Sequence, residues 1–447
     1  RFEHEMSALQ IFSERDVAAP KKVATPTLGF EFDLNYGVNR GVFDARKADM
    51  PAAATFPPEY AKLTRHEGRD GAGKIVDGFT VSRDGPRFEI STVPFAIAND
   101  AEFSEISNKV IAFGTELEAA AKTVDRAISV PGIKGHPVRF EHPKTLIDRL
   151  PIIVHQVGSA KLGTLRFPSD AKLTASPQAT IALPLGKIAD LIGEITRSRT
   201  NKVKRDDLAL TGPPAMRLGL RTDLAVIARD RVLASVRRQV GTMLLDGTTL
   251  TKADLSPALV GLLTLVVMYL LTGVIVDSRD DKAEDFAKGR LPINLKTPFW
   301  QVFQFALSER ERVIFRQLYA NANVRTTLYR LADRSATRAA GKRRLFPRDV
   351  HWDLDRLHDQ PLTWDGFIEH ILSGEPLRVT KANTLLKPKH ALGDEILVAP
   401  LSSKINFSKT DPLIAVELRR IGFQALPLAK WGKLMEQLRD MARRLNA

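Results

Sequence analysis

The chain has 447 residues, 44% of them hydrophobic, and 66 Lys and Arg against 52 Asp and Glu give a formal net charge of +14. It contains no Cys, which excludes disulfides, thiolate metal sites and a cysteine nucleophile. The 9 His and 52 acids favour oxygen-ligated hard cations, and the basic balance suits an anionic partner such as a nucleotide, a nucleic acid or an acidic surface.

The length allows up to about three domains or one large enzyme with insertions. The first residues show no signal-peptide pattern, so the expected location is the cytoplasm, whether the chain acts alone or is delivered as part of a larger protein.

Residues 1–26 read as a charged N-terminal extension that ends at Pro20 and Pro26. The next stretch, Thr27–Tyr36 (TLGFEFDLNY), alternates as a strand: Phe30, Phe32 and Leu34 face one way, Glu31 and Asp33 the other. Two acids side by side on one strand face repel, and a bound cation or basic side chains would relieve the cost. Val38–Gly73 is rich in Ala, Pro and charge and reads as an irregular insertion at the sheet edge. Gly78–Pro94 predicts a β-hairpin turning at Asp84-Gly85. Its return strand carries Arg87, Glu89 and Ser91 on one face and Phe88 and Ile90 on the other.

A helix is predicted over Ala101–Val130 from apolar residues at three- and four-residue spacing. Leu150–Gly158 reads as a buried strand bearing His155, Leu162–Leu183 as two further strands, and Leu185–Ser198 as a helix. Lys202–Arg221 reads as a basic loop and Asp223–Met243 as an Arg-rich amphipathic helix. Ala258–Val276 is uncharged and 19 residues long, near the minimum for a membrane span. Gly261, Thr264, Tyr269, Thr272 and Gly273 interrupt it, and a helix buried inside the domain is the favoured reading.

Trp300–Leu331 is predicted helical, and Arg334–Arg348 is the densest basic run. A short helix is expected to open at Thr363 and end near Gly374, and Leu386–Phe407 reads as mixed strand and loop. Asp411–Gly422 alternates again, with Ile414, Val416 and Leu418 opposite Ala415, Glu417 and Arg419. The last twenty or so residues form an amphipathic helix whose Leu434, Leu438 and Met441 face the domain.

Several strand-like segments thus pair an apolar face with acids, a His or an Arg: Glu31 and Asp33, Glu89, His155, and Glu417 with Arg419. An antiparallel sheet covered by helices on one side has this pattern. Clustered carboxylates suit Mg²⁺, and Arg suits phosphate. No GxxxxGK[ST] and no strand-to-helix GxGxxG is present, so a nucleotide would be held through metal and Arg.

The order of these motifs resembles the carboxylate–amine ligase superfamily built on the glutamine synthetase and glutamate–cysteine ligase fold, and specifically its bacterial amidoligase branch. Gly29–Asp33 (GFEFD) is similar to that family's opening G-[FIV]-E-x-E strand, with Asp in the last place. Glu89–Pro94 (EISTVP) is similar to its hairpin motif with one extra residue before the Pro. His155 stands where the family often has H-x-H, and Val416–Arg419 (VELR) is similar to its late strand.

The resemblance implies an α+β fold: a curved antiparallel β-sheet funnel flanked by helices on its outer face, with a helical insertion. It spans residues 27–425 as the catalytic domain, with insertions near 38–73 and a helical, basic region at 277–380, and leaves 426–447 as a C-terminal helix packed on it. It implies ATP with Mg²⁺ or Mn²⁺ as cofactors, metal ligands Glu31, Asp33, Glu89 and Glu417, and catalytic or nucleotide contacts from His155, Arg290, Arg419 and Arg420. The reaction implied is amide formation through an acyl phosphate, joining a carboxylate and an amine borne by small molecules, peptides or proteins. A bacterial effector acting on a protein is one variant. The alternative is a basic nucleic-acid-binding or metal-dependent phosphodiester-cleaving protein.

Overall fold

The computed structural model describes residues 25–38, 62–122, 155–157, 160–162, 165–166, 170, 172–197, 227–245, 247–273, 293–297, 299–326, 368–369, 371–372, 413–418 and 425–447. The expected loop at 202–221, the basic run at 334–348 and the segment 386–407 lie outside these residues, as do residues 1–24.

Strand β1 (Thr27–Val38) sets the layers. Leu28, Phe30, Phe32, Leu34 and Tyr36 are all buried, while Glu31, Asp33 and Asn35 between them are only partly covered. A strand sends alternate side chains to opposite faces, so one side of β1 is core and the other carries the acids. Burying each of those large apolar side chains stabilises the fold by about 1.5–3 kcal/mol.

The hairpin forms as its sequence predicts. Strands β2 (Phe79–Asp84) and β3 (Arg87–Thr92) are antiparallel and joined by the two-residue loop Gly85-Pro86. The short strand β4 (Phe95–Ala96) returns to the start of β1. Helix α1 (Asp100–Lys122) follows, and the remainder of the predicted helix, 123–130, is outside the described residues.

Strands β5 (His155–Val157) and β6 (Ala160–Leu162) pair with each other. Strand β7 (Leu165–Arg166) meets the far end of β1, and β8 (Thr174–Pro184) runs antiparallel along most of it. A 3₁₀ turn (Leu185–Lys187) leads into helix α2 (Ile188–Arg197).

The Arg-rich helix expected over 223–243 is described from residue 227. It begins as a π-helical segment (Ile227–Val232), continues as α3 (Leu233–Val240), and gives way to the small hairpin β9 (Leu244–Leu245) and β10 (Thr248–Thr249).

The apolar run is helix α4 (Pro257–Gly273). Leu259, Leu262, Leu265 and Met268 have no exposed surface, as expected of a helix buried all round. Gly261 has a packing reason: a Cβ there would come within 2.1 Å of the Leu185 carbonyl oxygen, so only glycine lets α4 press against that turn. Among the described residues no helix is long and apolar enough to cross a membrane.

Strand β11 (Ile293–Leu295) precedes α5 (Phe299–Phe305) and α6 (Glu309–Ala320). The single helix predicted over Trp300–Leu331 is therefore broken. Ser308 caps α6 by accepting from the Glu311 N–H, and Glu311 reaches back to the Ser308 N–H at 2.6 Å. This reciprocal box is a strong helix start, and it overrides the continuous periodicity. Strand β12 (Leu413–Leu418), the short β13 (Leu426–Pro427) and helix α7 (Trp431–Asn446) complete the chain.

Among the described residues, nine strands form one open antiparallel sheet with the principal order β11-β12-β8-β1-β3-β2; β4, β7 and β13 attach beside this path. The fold is α+β. Helix α7 contacts β1, β8, α1 and α2, and so covers the apolar face. Its Trp431 ring stacks on Phe32 at 4.6 Å between centroids. Arg439 is buried beneath it, donates to the Ile97 carbonyl at 3.1 Å, pairs with Asp100 at the start of α1 and lies 4.4 Å over the Phe103 ring. The end of the insertion after β1 bridges back to the sheet edge, where Lys62 pairs with Ser82 of β2.

The structure differs from the sequence pattern at two strands. Among the described residues, His155 lies on the two-stranded β5-β6 hairpin, whose pairings are within that hairpin and not with the main sheet. A run such as PIIVHQV signals a buried strand but not the sheet it joins. Strand β12 is buried along its whole length instead of alternating, and Glu417 is 1% exposed. The chain continues past β11 into Lys296, whose ammonium group lies on the Glu417 carboxylate.

Candidate metal and anion site

The polar face of the sheet is fixed by register. Asp33 of β1 stands directly opposite Glu89 of β3, and Glu31 stands opposite Ser91. On the other side of β1, Glu31 is opposite Gln178 and Asp33 opposite Ser176 of β8. Glu89 is in turn opposite Ser82 of β2, which puts Asp84 on the same face two residues along. Directly opposed like charges destabilise a sheet. This face therefore sets carboxylates against one another where Thr or Lys would cost nothing.

Asp33, Asp84 and Glu89 each offer a carboxylate oxygen, and these atoms lie within 4.8 Å of one another. All three side chains are half-buried. Burial pushes the Glu89 carboxyl above its usual range; the nearby charges of Asp33, Asp84 and Glu417 push the same way, and a 2.6 Å hydrogen bond from the Ser91 hydroxyl opposes them. Gln178 donates its amide to Asp33 at 3.0 Å and holds that carboxylate in place. An all-oxygen set with one carboxyl destabilised by its neighbours fits a hard divalent cation such as Mg²⁺ or Mn²⁺.

The hairpin turn is locked onto β1 beside this cluster. The β1–β3 register shifts between Asp33 and Gly37. A Cβ on Gly37 would fall 1.9 Å from the Pro86 carbonyl oxygen and 2.9 Å from the Arg87 Cα, so glycine is what permits the turn to close.

Glu417 occupies a different part of the face. It pairs in register with Asn294 of β11 and with Thr180 of β8. Strands β12 and β3 are three ladder steps apart, about 14 Å in a flat sheet. The Glu417 charge nevertheless contributes to raising Glu89. Its near neighbour is Lys296, with Nζ 2.9 Å from Oε2. Lys296 is anchored by its own N–H to the Ala415 carbonyl at 2.8 Å, and the next residue, Thr297, accepts from the Ala415 N–H at 2.9 Å.

Of the residues singled out from sequence, the structure brings Asp33 and Glu89 together, with Glu31 on the same strand face and Glu417 at the Lys296 end. Arg290, Arg419 and Arg420 lie outside the described residues, as does the His155 side chain. Two residues were missed. Asp84 reads in sequence only as half of an Asp-Gly turn signal, and Lys296 sits in a stretch, INLKTP, with no distinctive pattern.

No protein-family model matches the chain, and no curated protein does. Two solved structures are similar in outline. One is the VgrG Vibrio cholerae toxin ACD domain, a glutamate-to-glutamine mutant in complex with ADP and Mn²⁺, at TM-score 0.36 and 9% identity, covering 92% of this chain and 97% of that one. The other is a Vibrio cholerae toxin from the MARTX/VgrG family, at TM-score 0.35 and 10% identity, covering 90% of this chain and 96% of that one. At these scores the likeness assigns no residue of the site.

Proposed function

We propose that the chain is an ATP-dependent carboxylate–amine ligase that uses Mg²⁺ or Mn²⁺. The observation that carries the reading is the pairing of the two family-like motifs. GFEFD and EIST lie on neighbouring strands in the register that opposes Asp33 to Glu89, with Asp84 completing a three-carboxylate cluster. An open antiparallel sheet with its acids on one face and helices on the other supports the same reading.

In this reading Asp33, Asp84 and Glu89 hold the cation, with Glu31 on the same strand face. The cation supplies charge to hold and polarise the phosphate chain of ATP. Arg419, Arg420 and Arg290 serve as phosphate contacts, and His155 as a metal or phosphate contact. The substrate carboxylate attacks the γ-phosphorus, ADP leaves, and an amine then displaces phosphate from the acyl phosphate. The chain's own task is positioning and charge compensation, in keeping with the lack of a cysteine nucleophile. A protein-borne acceptor is a variant of the same reading.

The test is thermal. Mg-ATP raises the melting temperature of the wild type more than ATP or Mg²⁺ alone, and Asp33→Asn removes the difference. A melting curve unmoved by millimolar Mg-ATP counts against the proposal, and steeply salt-dependent binding to DNA or RNA instead would favour the nucleic-acid reading.

A further inference from the structure

The sheet's polar face carries two unlike ends. At one, three carboxylates crowd together, with Arg87 in register opposite Asp84. At the other, a buried carboxylate and a lysine are paired at 2.9 Å. These arrangements suit different ligands. The first attracts a cation. In the second the cation is supplied by the chain itself, and Glu417 is already neutralised by it.

Lys296 is placed for more than neutralisation. Its N–H donates to the Ala415 carbonyl, next after the pairing of Leu295 with Val416, so it lies in line with Ala415, which shares the face of Glu417 on β12. Its side chain is 19% exposed while that of Glu417 is 1% exposed. The lysine is therefore the member of the pair that reaches the open side of the face, with the carboxylate behind it. Its own N–H donates to the Ala415 carbonyl, and the Ala415 N–H donates to the hydroxyl of the next residue, Thr297. A long flexible side chain is thus held in one place by a buried partner and a fixed backbone, and it presents an ammonium on the same face as a divalent-cation cluster. A polyphosphate is the ligand that needs both: metal on some oxygens, a fixed cation on others.

Building on the ATP-ligase reading, we propose that Lys296 is a polyphosphate-binding residue of the site, and that Glu417 is the carboxylate that positions it rather than a metal ligand. The binding of Mn²⁺ alone then depends on Asp33, Asp84 and Glu89 and not on Glu417.

The test uses the full chain and isothermal titration in two stages. Mn²⁺ is titrated first; ADP or pyrophosphate is then titrated into the Mn²⁺-loaded protein. Lys296→Met is expected to keep its Mn²⁺ affinity within about twofold and to lose tenfold or more in affinity for both phosphate ligands. Lys296→Arg is expected to recover most of that loss. Glu417→Gln should behave like Lys296→Met. Loss with ADP but not pyrophosphate would still be a phosphate-chain contact, made only when the nucleoside sets the register. Loss of Mn²⁺ binding in Glu417→Gln, or unchanged ADP affinity in Lys296→Met, overturns the inference.

A wild-type measurement covers the case in which the variants do not fold. Mn-ADP is expected to protect Lys296 from reductive methylation at least fivefold while leaving Lys62 reactive. Equal labelling with and without saturating Mn-ADP overturns the inference. Failure of the wild type to take up Mn²⁺ at all is read in the first stage and sinks the parent reading along with this one.

Discussion

Replacing Glu89 by Gln should stabilise the metal-free protein and weaken the metal-loaded one. Glu89 faces Asp33 across the β1–β3 ladder and has Asp84 within reach. At the 4.8 Å limit of that cluster and an effective dielectric of about 20, each like-charge pair costs about 3.5 kcal/mol before screening. The groups are half-buried and reach solvent, so about 1 kcal/mol is the net relief to expect. Glutamine keeps the shape and can still accept the Ser91 hydroxyl bond, so no buried donor is stranded. At about 2 °C per kcal/mol, the variant should melt about 2 °C above wild type in EDTA.

Metal reverses the order. With free Mn²⁺ at about a hundred times its dissociation constant, the wild type gains about 2.7 kcal/mol, or about 5 °C. The variant, with one ligand neutral, should gain less than half of that. Scanning calorimetry of both proteins, with EDTA and with Mn²⁺, reads the crossing directly. A variant that melts below wild type in EDTA, or that shifts equally with Mn²⁺, would show that the three carboxylates neither repel one another nor share a cation.

The pH dependence follows from the same carboxyl. Because Glu89 titrates higher folded than unfolded, the folded protein binds the extra proton, and this group's contribution to stability falls as pH rises through the window above the ordinary glutamate range. Denaturant melts across that window should show the decline in wild type and lose it in Glu89→Gln. Gly37→Ala would force a Cβ against backbone atoms of Pro86 and Arg87 and should cost about 1–3 kcal/mol by urea titration, with weaker Mn²⁺ binding as the turn carrying Asp84 moves. Trp431→Ala removes the ring stacked on Phe32 and should cost about 3–5 kcal/mol, since both residues are fully buried. Arg439→Met keeps the apolar stem over Phe103 but loses the Ile97 and Asp100 bonds, and should cost about 2 kcal/mol.

Much of the frame is legible because it is local. The alternation of Phe30, Phe32 and Leu34 against Glu31 and Asp33, the two-residue hairpin loop, and the apolar stripe of α7 each follow from a period within one segment. The break at Ser308 was legible too, since S-x-x-E is a capping box, but the apolar period on either side masked it. What depends on register was not. Asp84 joins the cluster only because the hairpin register puts Ser82 opposite Glu89, and Lys296 reaches Glu417 only because β11 pairs with β12 across more than a hundred intervening residues. The His155 segment shows the same limit: its strand character is local, and its sheet partner is not.

In the proposed function, this sheet face holds a divalent cation and the phosphate chain of ATP together. A crystal structure with Mn²⁺ and a non-hydrolysable ATP analogue tests it most directly, because manganese is located by its anomalous signal. It should show a Mn²⁺ ion at about 2.2 Å from oxygens of at least two of Asp33, Asp84 and Glu89, bridged to the analogue's phosphates, with the Lys296 ammonium on another phosphate oxygen. Nucleotide and metal bound away from this face, with the three carboxylates untouched, would contradict it.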